Sequence, residues 1–408
     1  MRRRWGAVHT ALAALAVWSL PVATGSPPAS AATALTTAPG VRQAPGVTYT
    51  TFRVTVARGA AHGHLLTVDL RAPRVSVDLL YPGAVGARAP VSALAAARGA
   101  TAAVNGDFFH LLETQHPGVP ATGAPSGPAV AAGHGLKAAV PAGQRFGPAP
   151  PPGARPEDVL GIGDDRRARL DRLTLRGAAV TGHGTLPLTG LNQYALPVDG
   201  IGAYTSRWGP AARARAVCGT DTDRAAPCTT RVREVTVAHG RVTAVADRPG
   251  AGVPPGAEVL LGREEGARRL AALRPGDPVR IGHRLTGRSG APLRCAVGGF
   301  AVLRDGRTVP GTDTGTPAVR TGAGIGDGGH TLYLLALDGS PGEPGLTLAE
   351  LATVLRGVGA RDGVDLDGGG SSTLVTRAPH GGPVVVRNHP SGGAERPVPN
   401  ALGVFTGG

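Results

Sequence analysis

The chain has 408 residues, with 42 lysines and arginines against 28 aspartates and glutamates and a formal net charge of +14. Its arginines are scattered and aromatic residues make up only 3%, which argues against a nucleic-acid surface, where clustered cations and stacking rings are needed. An anionic substrate or a phosphate-bearing wall polymer fits the sign of the charge better. The bias toward Ala, Gly, Pro and Arg, with Lys137 as the single lysine, reads as GC-rich coding.

At the N-terminus Arg2, Arg3 and Arg4 precede an apolar stretch over residues 11–20, then Pro21 and the small-residue end Ala29-Ser30-Ala31. This order predicts a signal peptide over residues 1–31 and a secreted, extracellular protein. The apolar stretch is about half of the ~20 residues a spanning helix needs, so no integral membrane segment is expected after cleavage. In an oxidising compartment Cys218 and Cys228 are expected to be bridged. Cys295, on an apolar strand, is then a small buried hydrophobe.

Residues 32–46 read as a flexible leader. Residues 47–163 form the N-terminal part of the main domain, with strands at 51–56, 65–70 and 75–80. A helix follows at 92–98, with Ser92 as N-cap and Gly99 as the stop. A short strand at 101–104 then runs into Asn105-Gly-Asp-Phe-Phe109. Residues 117–156 are dense in Pro and Gly and read as loop or linker. Residues 164–293 read as a β-rich inserted module, with a hairpin of 232–237 and 242–245 turning at His239-Gly240.

Residues 294–408 complete the main domain. The apolar run at 331–337 predicts a strand buried on both faces, ending at Asp338-Gly339. Thr347 and Glu350 form a capping box for a helix carrying Leu348, Leu351, Ala352, Leu355 and Val358 on one face. A strand then ends in Asp365-Leu-Asp-Gly-Gly-Gly-Ser-Ser372, and a last strand spans 401–405. The fold class expected is α+β: a β-rich mixed sheet with a few flanking helices, plus an inserted or appended small β module. Helix, Gly and a polar strand end occur twice, at Asn105/Asp107 and Asp365/Asp367. Parallel neighbouring strands would bring these ends and Asp338 to one rim.

Asp367-Gly-Gly-Gly-Ser-Ser372 also fits a tight turn, but three glycines after a buried strand let a ligand approach the backbone, where N–H groups and two hydroxyls can bind an anion. Asn105-Gly-Asp fits a turn or a site equally. Arg320-Thr321 read alone is a surface pair. His62, His64, His110 and His116 have no metal-ligand spacing and are expected at turns or on the surface. Clustered Asp and Asn oxygens suit Ca²⁺ or Mg²⁺, although no loop has EF-hand spacing. A divalent cation therefore stays open, and no other cofactor is expected.

Taken in order, Asn105-Gly-Asp-Phe-Phe109, Arg320-Thr-Gly322, Asp338-Gly339, Leu348-Ala-Glu-Leu-Ala352, Asp365-Leu-Asp-Gly-Gly-Gly-Ser-Ser-Thr373, Asn388-His-Pro-Ser391 and Glu395-Arg-Pro-Val398 resemble the phosphodiester glycosidase family. That family holds N-acetylglucosamine-1-phosphodiester α-N-acetylglucosaminidase-like enzymes and bacterial exopolysaccharide-related members. The match covers residues 104–109 and about 298–405. Three positions depart from the pattern: Asp365 where Asn is usual, Ser340 where Arg is common and Gly392 where Asp is common.

The resemblance implies hydrolysis of the glycosidic bond of a sugar-1-phosphate diester, on sugar-phosphate or glycopolymer material. A phosphate leaving group is already acidic and needs its charge held more than it needs a proton. Arg320, Arg396 and the backbone of Gly368, Gly369 and Gly370 are the candidates for that task. Asp367, then Asp107, then Asp365 are the candidate carboxylates that stabilise the sugar cation or activate water. Asn105, Gly106, Thr321, Asp338, Ser371, Ser372, Asn388 and Ser391 complete the expected binding set. The alternatives are a noncatalytic glycan or wall-polymer binding protein on the same scaffold, and a phosphodiesterase that cleaves P–O. If the first reading holds, Asn105, Asp107, Arg320, Asp338, Asp367, Asn388 and Arg396 should meet in one pocket.

Overall fold

The computed structural model describes residues 34–407 together with Met1, so the expected signal peptide lies outside the described residues. Residues 34–46 are not a loose leader. Ala34–Thr37 and Val41–Ala44 both pair with Val47–Val56 and extend the edge of the largest sheet, because backbone groups left at a sheet edge are satisfied by a further strand.

That nine-stranded sheet runs Ala34–Thr37, Val47–Val56, Gly59–Asp69, Thr331–Leu337, Thr321–Gly326, Asp362–Leu366, Phe300–Arg304, Arg307–Thr308, with Val41–Ala44 off the path. Alternation explains the apolar run at its centre. Leu332, Leu334 and Ala336 enter the main core with Leu66, Val68, Val364 and Leu366. Leu335 and Leu337 point the other way, against Leu348, Leu351, Ala352 and Leu355 of helix Leu348–Gly357. Thr347 and Glu350 cap this helix reciprocally.

A second, five-stranded sheet, ordered Val384–Val386, Leu374–Arg377, Ala102–Asn105, Ala401–Phe405, Ser76–Leu80, sends Val77, Leu79, Ala102, Val104, Leu374, Leu402 and Val404 into the same main core. Its other face carries helix Val91–Arg98. The N-cap of that helix is Pro90, not Ser92. The Ser92 N–H and hydroxyl instead donate to Glu395, at 3.0 and 2.5 Å, so a distant carboxylate occupies the positive end of the helix.

Two further sheets contribute to the same main core: a seven-stranded one, built on Ala168–Thr181, Val279–Gly287, Asp158–Gly163 and Leu293–Gly298, and a five-stranded one made of Gly190–Leu191, Ile201–Tyr204, Ala257–Arg263, Val232–Ala238 and Arg241–Ala246. The hairpin turns at His239 and Gly240, both with positive φ. The Pro/Gly-rich stretch 117–156, expected as a linker, carries strands Ala129–Ala131 and His134–Lys137 and buries residues 122–131. Its small side chains let the backbone pack closely where bulkier residues would be expelled. Cys218 and Cys228 are bridged, and Cys295 is a buried free thiol. No helix among the described residues is long and apolar enough to cross a membrane. The fold is thus α+β and strand-dominated, with three α-helices among the described residues.

The two sheets that meet at the core are stitched by Asn388. Its amide donates to Leu337 O (3.2 Å) at the end of the large sheet and to Ser372 O (2.9 Å), and its carbonyl accepts Leu374 N–H (2.8 Å) in the smaller one. Asn388→Ala strands three buried polar groups, each worth about 1–3 kcal/mol. Urea unfolding is expected to show a loss of about 3 kcal/mol; a loss below about 1 kcal/mol would mean that water replaces the amide.

Candidate active site

The three polar strand ends do not belong to adjacent parallel strands. Thr331–Leu337 and Asp362–Leu366 share the large sheet with Thr321–Gly326 between them, whereas Ala102–Asn105 lies in the smaller sheet between antiparallel neighbours. The ends of Ala102–Asn105 and Asp362–Leu366 still meet, because hydrogen bonds cross from sheet to sheet. Asn105, fully buried, donates from Nδ2 to Asp367 O (2.6 Å) and accepts at Oδ1 from Thr321 Oγ1 (2.8 Å) and Thr373 N–H (3.0 Å). Asp367 N–H returns a bond to Gly106 O (2.9 Å). Thr321 Oγ1 also reaches Ser372 Oγ at 3.0 Å.

This clamp sets Asp107 and Asp367 in one electrostatic neighbourhood. Asp107 is buried; Gly127 N–H donates to its Oδ2 (2.6 Å), and Oδ1 has no partner. Its own N–H donates to Asn400 Oδ1 (2.9 Å). Space here is tight: a Cβ on Gly127 would collide with Gly298 and press on Asp107 Oδ2. Burial pushes the Asp107 carboxyl up, while Arg145 and Lys137 pull it down. Asp367 is partly exposed. Burial pushes it up to about 7, against the Ser371 hydroxyl and Arg396, and the charge of Asp107 adds to the rise. A carboxyl group near 7 is the form suited to proton transfer at neutral pH.

Arg396 lies across the glycine turn. Its guanidinium donates to Ser371 Oγ (3.3 Å) and fills the space a Cβ on Gly370 would need. Gly370 therefore lets a cation approach the turn. Gly369 N–H is already bonded to Val319 O at 2.8 Å, so the three glycines do not form a wholly free anion cradle.

Other expected site residues have different surroundings. Arg320, taken from its sequence as a surface pair or a phosphate ligand, is buried and bound to Leu346 O (3.0 Å) and Thr316 O (2.9 Å), with Nη1 3.9 Å from Asp365 Oδ2. Asp365 is fully enclosed, both oxygens lack a hydrogen-bond partner, and burial pushes it up to about 8 against the pull of Arg320. Asp338 accepts from His64 Nε2 (3.2 Å) and from the backbone N–H (2.7 Å) and ring (3.1 Å) of His389. Burial opposes its ionisation, but those bonds prevail and hold it at about 2. It lines a cavity of about 500 Å³ with Arg53, His62 and His64, whose wall includes none of Asn105, Asp107, Asp367 or Arg396. The seven residues thus do not share one pocket: Asp338 lines a separate cavity, and the Asn388 side chain bridges backbone carbonyls at Leu337, next to Asp338, and at Ser372 of the glycine turn. Ser391 packs against Gly339.

His64, His110 and His116 are buried rather than superficial. His110 is held at about 4 by burial and Arg215. Among the described residues, the side chains grouped closely enough for a metal are His116, Cys218 and Cys228, two of which are spent on the disulfide. Among the described residues the aspartates considered for Ca²⁺ or Mg²⁺ form no such group of three. Lys137, Arg145, Asn400 and Gly127 escaped notice in sequence. Lys137 alone carried a signal, as the one lysine.

Because the folded state favours protonated Asp365, its stabilising contribution is full below the ordinary carboxylate value and is lost as pH rises through about 8. Asp365→Asn removes this dependence. Its melting temperature is expected to exceed wild type by about 2 °C or more at pH 8, with the gap closing toward pH 4; equal differences at both pH values would show that Asp365 stays ionised.

Residues 232–405 match the family model described as phosphodiester glycosidase. A Burkholderia pseudomallei protein described as exported superposes with a TM-score of 0.67 at 18% identity, over 92% of this chain and 97% of that one. A hypothetical protein from Synechocystis gives 0.66 at 22% identity over 88% of this chain, which spans only 62% of that protein. The catalytic domain of zebrafish N-acetylglucosamine-1-phosphodiester alpha-N-acetylglucosaminidase, auto-inhibited by its pro-peptide, gives 0.44 at 16% identity, over 91% and 87% of the two chains. No curated protein matches the chain in sequence. By the family match over residues 232–405, the C-terminal part of the chain is linked to the phosphodiester glycosidases.

Proposed function

We propose that the protein is an exported hydrolase that cleaves a sugar-1-phosphate diester at the glycosidic bond, on cell-wall or exopolysaccharide material, with residues 164–293 as an accessory module. The observation that carries this reading is the backbone clamp between Gly106 and Asp367, which gathers the buried Asp107 and the partly exposed Asp367 with an arginine at a glycine turn.

Each part has a task that its chemistry fits. Arg396 and the Ser371 hydroxyl neutralise the phosphate as it leaves, so little proton donation is required. Asp367, ionised above about 7, stabilises the positive sugar centre or takes a proton from water. Asp107 raises Asp367 by its own charge, as paired carboxylates do. Asp365 and Arg320 stand behind this layer and shape it without touching substrate.

Two expectations follow. With UDP-GlcNAc or a nitrophenyl sugar phosphate in ¹⁸O water, label is expected in the sugar; label in phosphate would assign P–O cleavage, and absence of turnover with retained binding would assign a noncatalytic binding protein. Asp367→Asn is expected to lower kcat by about 10²–10⁴, and the wild-type rate should rise with pH through about 7 as Asp367 ionises. An unchanged rate in the variant removes Asp367 from the chemistry.

A further inference from the structure

Lys137 is the single lysine of the chain and is wholly buried at the end of strand His134–Lys137. Its Nζ lies 2.5 Å from Gly127 O, 2.5 Å from Ala138 O and 3.3 Å from Ser126 O. Three carbonyls match the three N–H donors of an ammonium. A neutral amine has one donor too few, and the planar five-donor fork of an arginine has the wrong shape for a compact cradle. In a chain that uses arginine for every other basic side chain, this position takes the smaller cation.

The cradle touches the site through one residue. Gly127 gives its carbonyl to Lys137 and its N–H to Asp107 Oδ2, so ammonium and carboxylate grip the same glycine from opposite sides. Asp107 Oδ1 remains buried and unpartnered. The other charged or titratable groups acting on this pair are Arg145, Asp367 and Tyr194; the Tyr194 hydroxyl is tied to Ser126 Oγ and Gln144 O.

We infer that Lys137 is a positioning residue of the proposed active site, whose ammonium holds Gly127 against Asp107 and supplies a buried positive charge that keeps Asp107 ionised beside Asp367. The inference rests on the catalytic reading of that site. Burial drives Lys137 down to about 7 while the charge of Asp107 supports it. In return, burial raises Asp107, and Arg145 and Lys137 restrain it. The two groups are thus linked, and a change in one proton must be felt by the other.

Because Lys137 is alone, the full chain labelled with ε-¹³C-lysine gives one side-chain NMR signal, which can be titrated without any turnover. In wild type it is expected to titrate near 7; in Asp107→Asn, which keeps an oxygen for Gly127 N–H, the midpoint should fall by about one unit or more, the usual effect of losing an opposite charge at close range. A midpoint unmoved in Asp107→Asn overturns the assignment whether or not the protein is a hydrolase. In the activity assay a folded Lys137→Met should lower the acidic limb of the kcat/KM profile by about one unit, because Asp107 without the ammonium is protonated and its charge no longer raises Asp367, whereas a purely structural lysine would lower the melting temperature and leave that limb in place. If Lys137→Met does not fold, the Asp107→Asn titration decides.

Discussion

The Asn105 amide has no access to water, so both of its ends must be satisfied by protein. They are, and by three different segments: Thr321 in the large sheet, Thr373 beside the smaller one and the Asp367 carbonyl on the loop between them. Leaving a buried amide end unpaired costs about 1–3 kcal/mol, so alternative placements of these strand ends are disfavoured together. The rest of the site follows. Gly106 and Asp367 are brought into backbone contact, the glycine turn is aimed at Arg396, and Asp107 is carried into the gap beside Gly127.

That placement sets three aspartates apart electrostatically. Three aspartates, Asp107, Asp365 and Asp367, all sit above the ordinary carboxylate range because burial raises each of them. A fold selected only for stability would place apolar residues there. Their surroundings differ, and so do their proposed roles. Asp365 stands where the family pattern that the sequence resembles has Asn, and in its protonated form it approximates that amide. Asp367 is the one at the solvent edge, beside a cation and a hydroxyl, and Asp107 is held between Gly127, Asn400 and a buried ammonium.

What was legible in sequence was local. The continuous apolar run at Thr331–Leu337 encodes burial on both faces, Thr347 with Glu350 encodes a helix start, His239-Gly240 encodes a tight hairpin, and the expectation of an oxidising compartment points to the Cys218–Cys228 bridge. The order of the motifs marked which strand ends carry polar groups, but not how they meet. Ala102–Asn105 and Asp362–Leu366 belong to different sheets, and hydrogen bonds across hundreds of residues of chain leave no trace in spacing. Ser92 looks like a cap until Glu395 arrives from the far end of the chain. The Pro/Gly-rich stretch looked like a linker because small residues serve loops and close packing alike; here residues 122–131 form the wall behind Asp107. Asp338 shares its motif type with Asp367, yet His64 and His389 draw it into a separate cavity.

In the proposed mode of binding, phosphate and sugar straddle the glycine turn, with Arg396 on the phosphate and Asp107 and Asp367 on the sugar side. A crystal structure of the Asp367→Asn variant with bound UDP-GlcNAc tests this most directly. The account predicts a phosphate oxygen within hydrogen-bond distance of Arg396 and Ser371 and the anomeric carbon facing positions 107 and 367. A nucleotide sugar seated instead in the cavity of about 440 Å³ beside Asp158, Arg172, Arg288 and Arg304, with the glycine turn free of ligand, would contradict it.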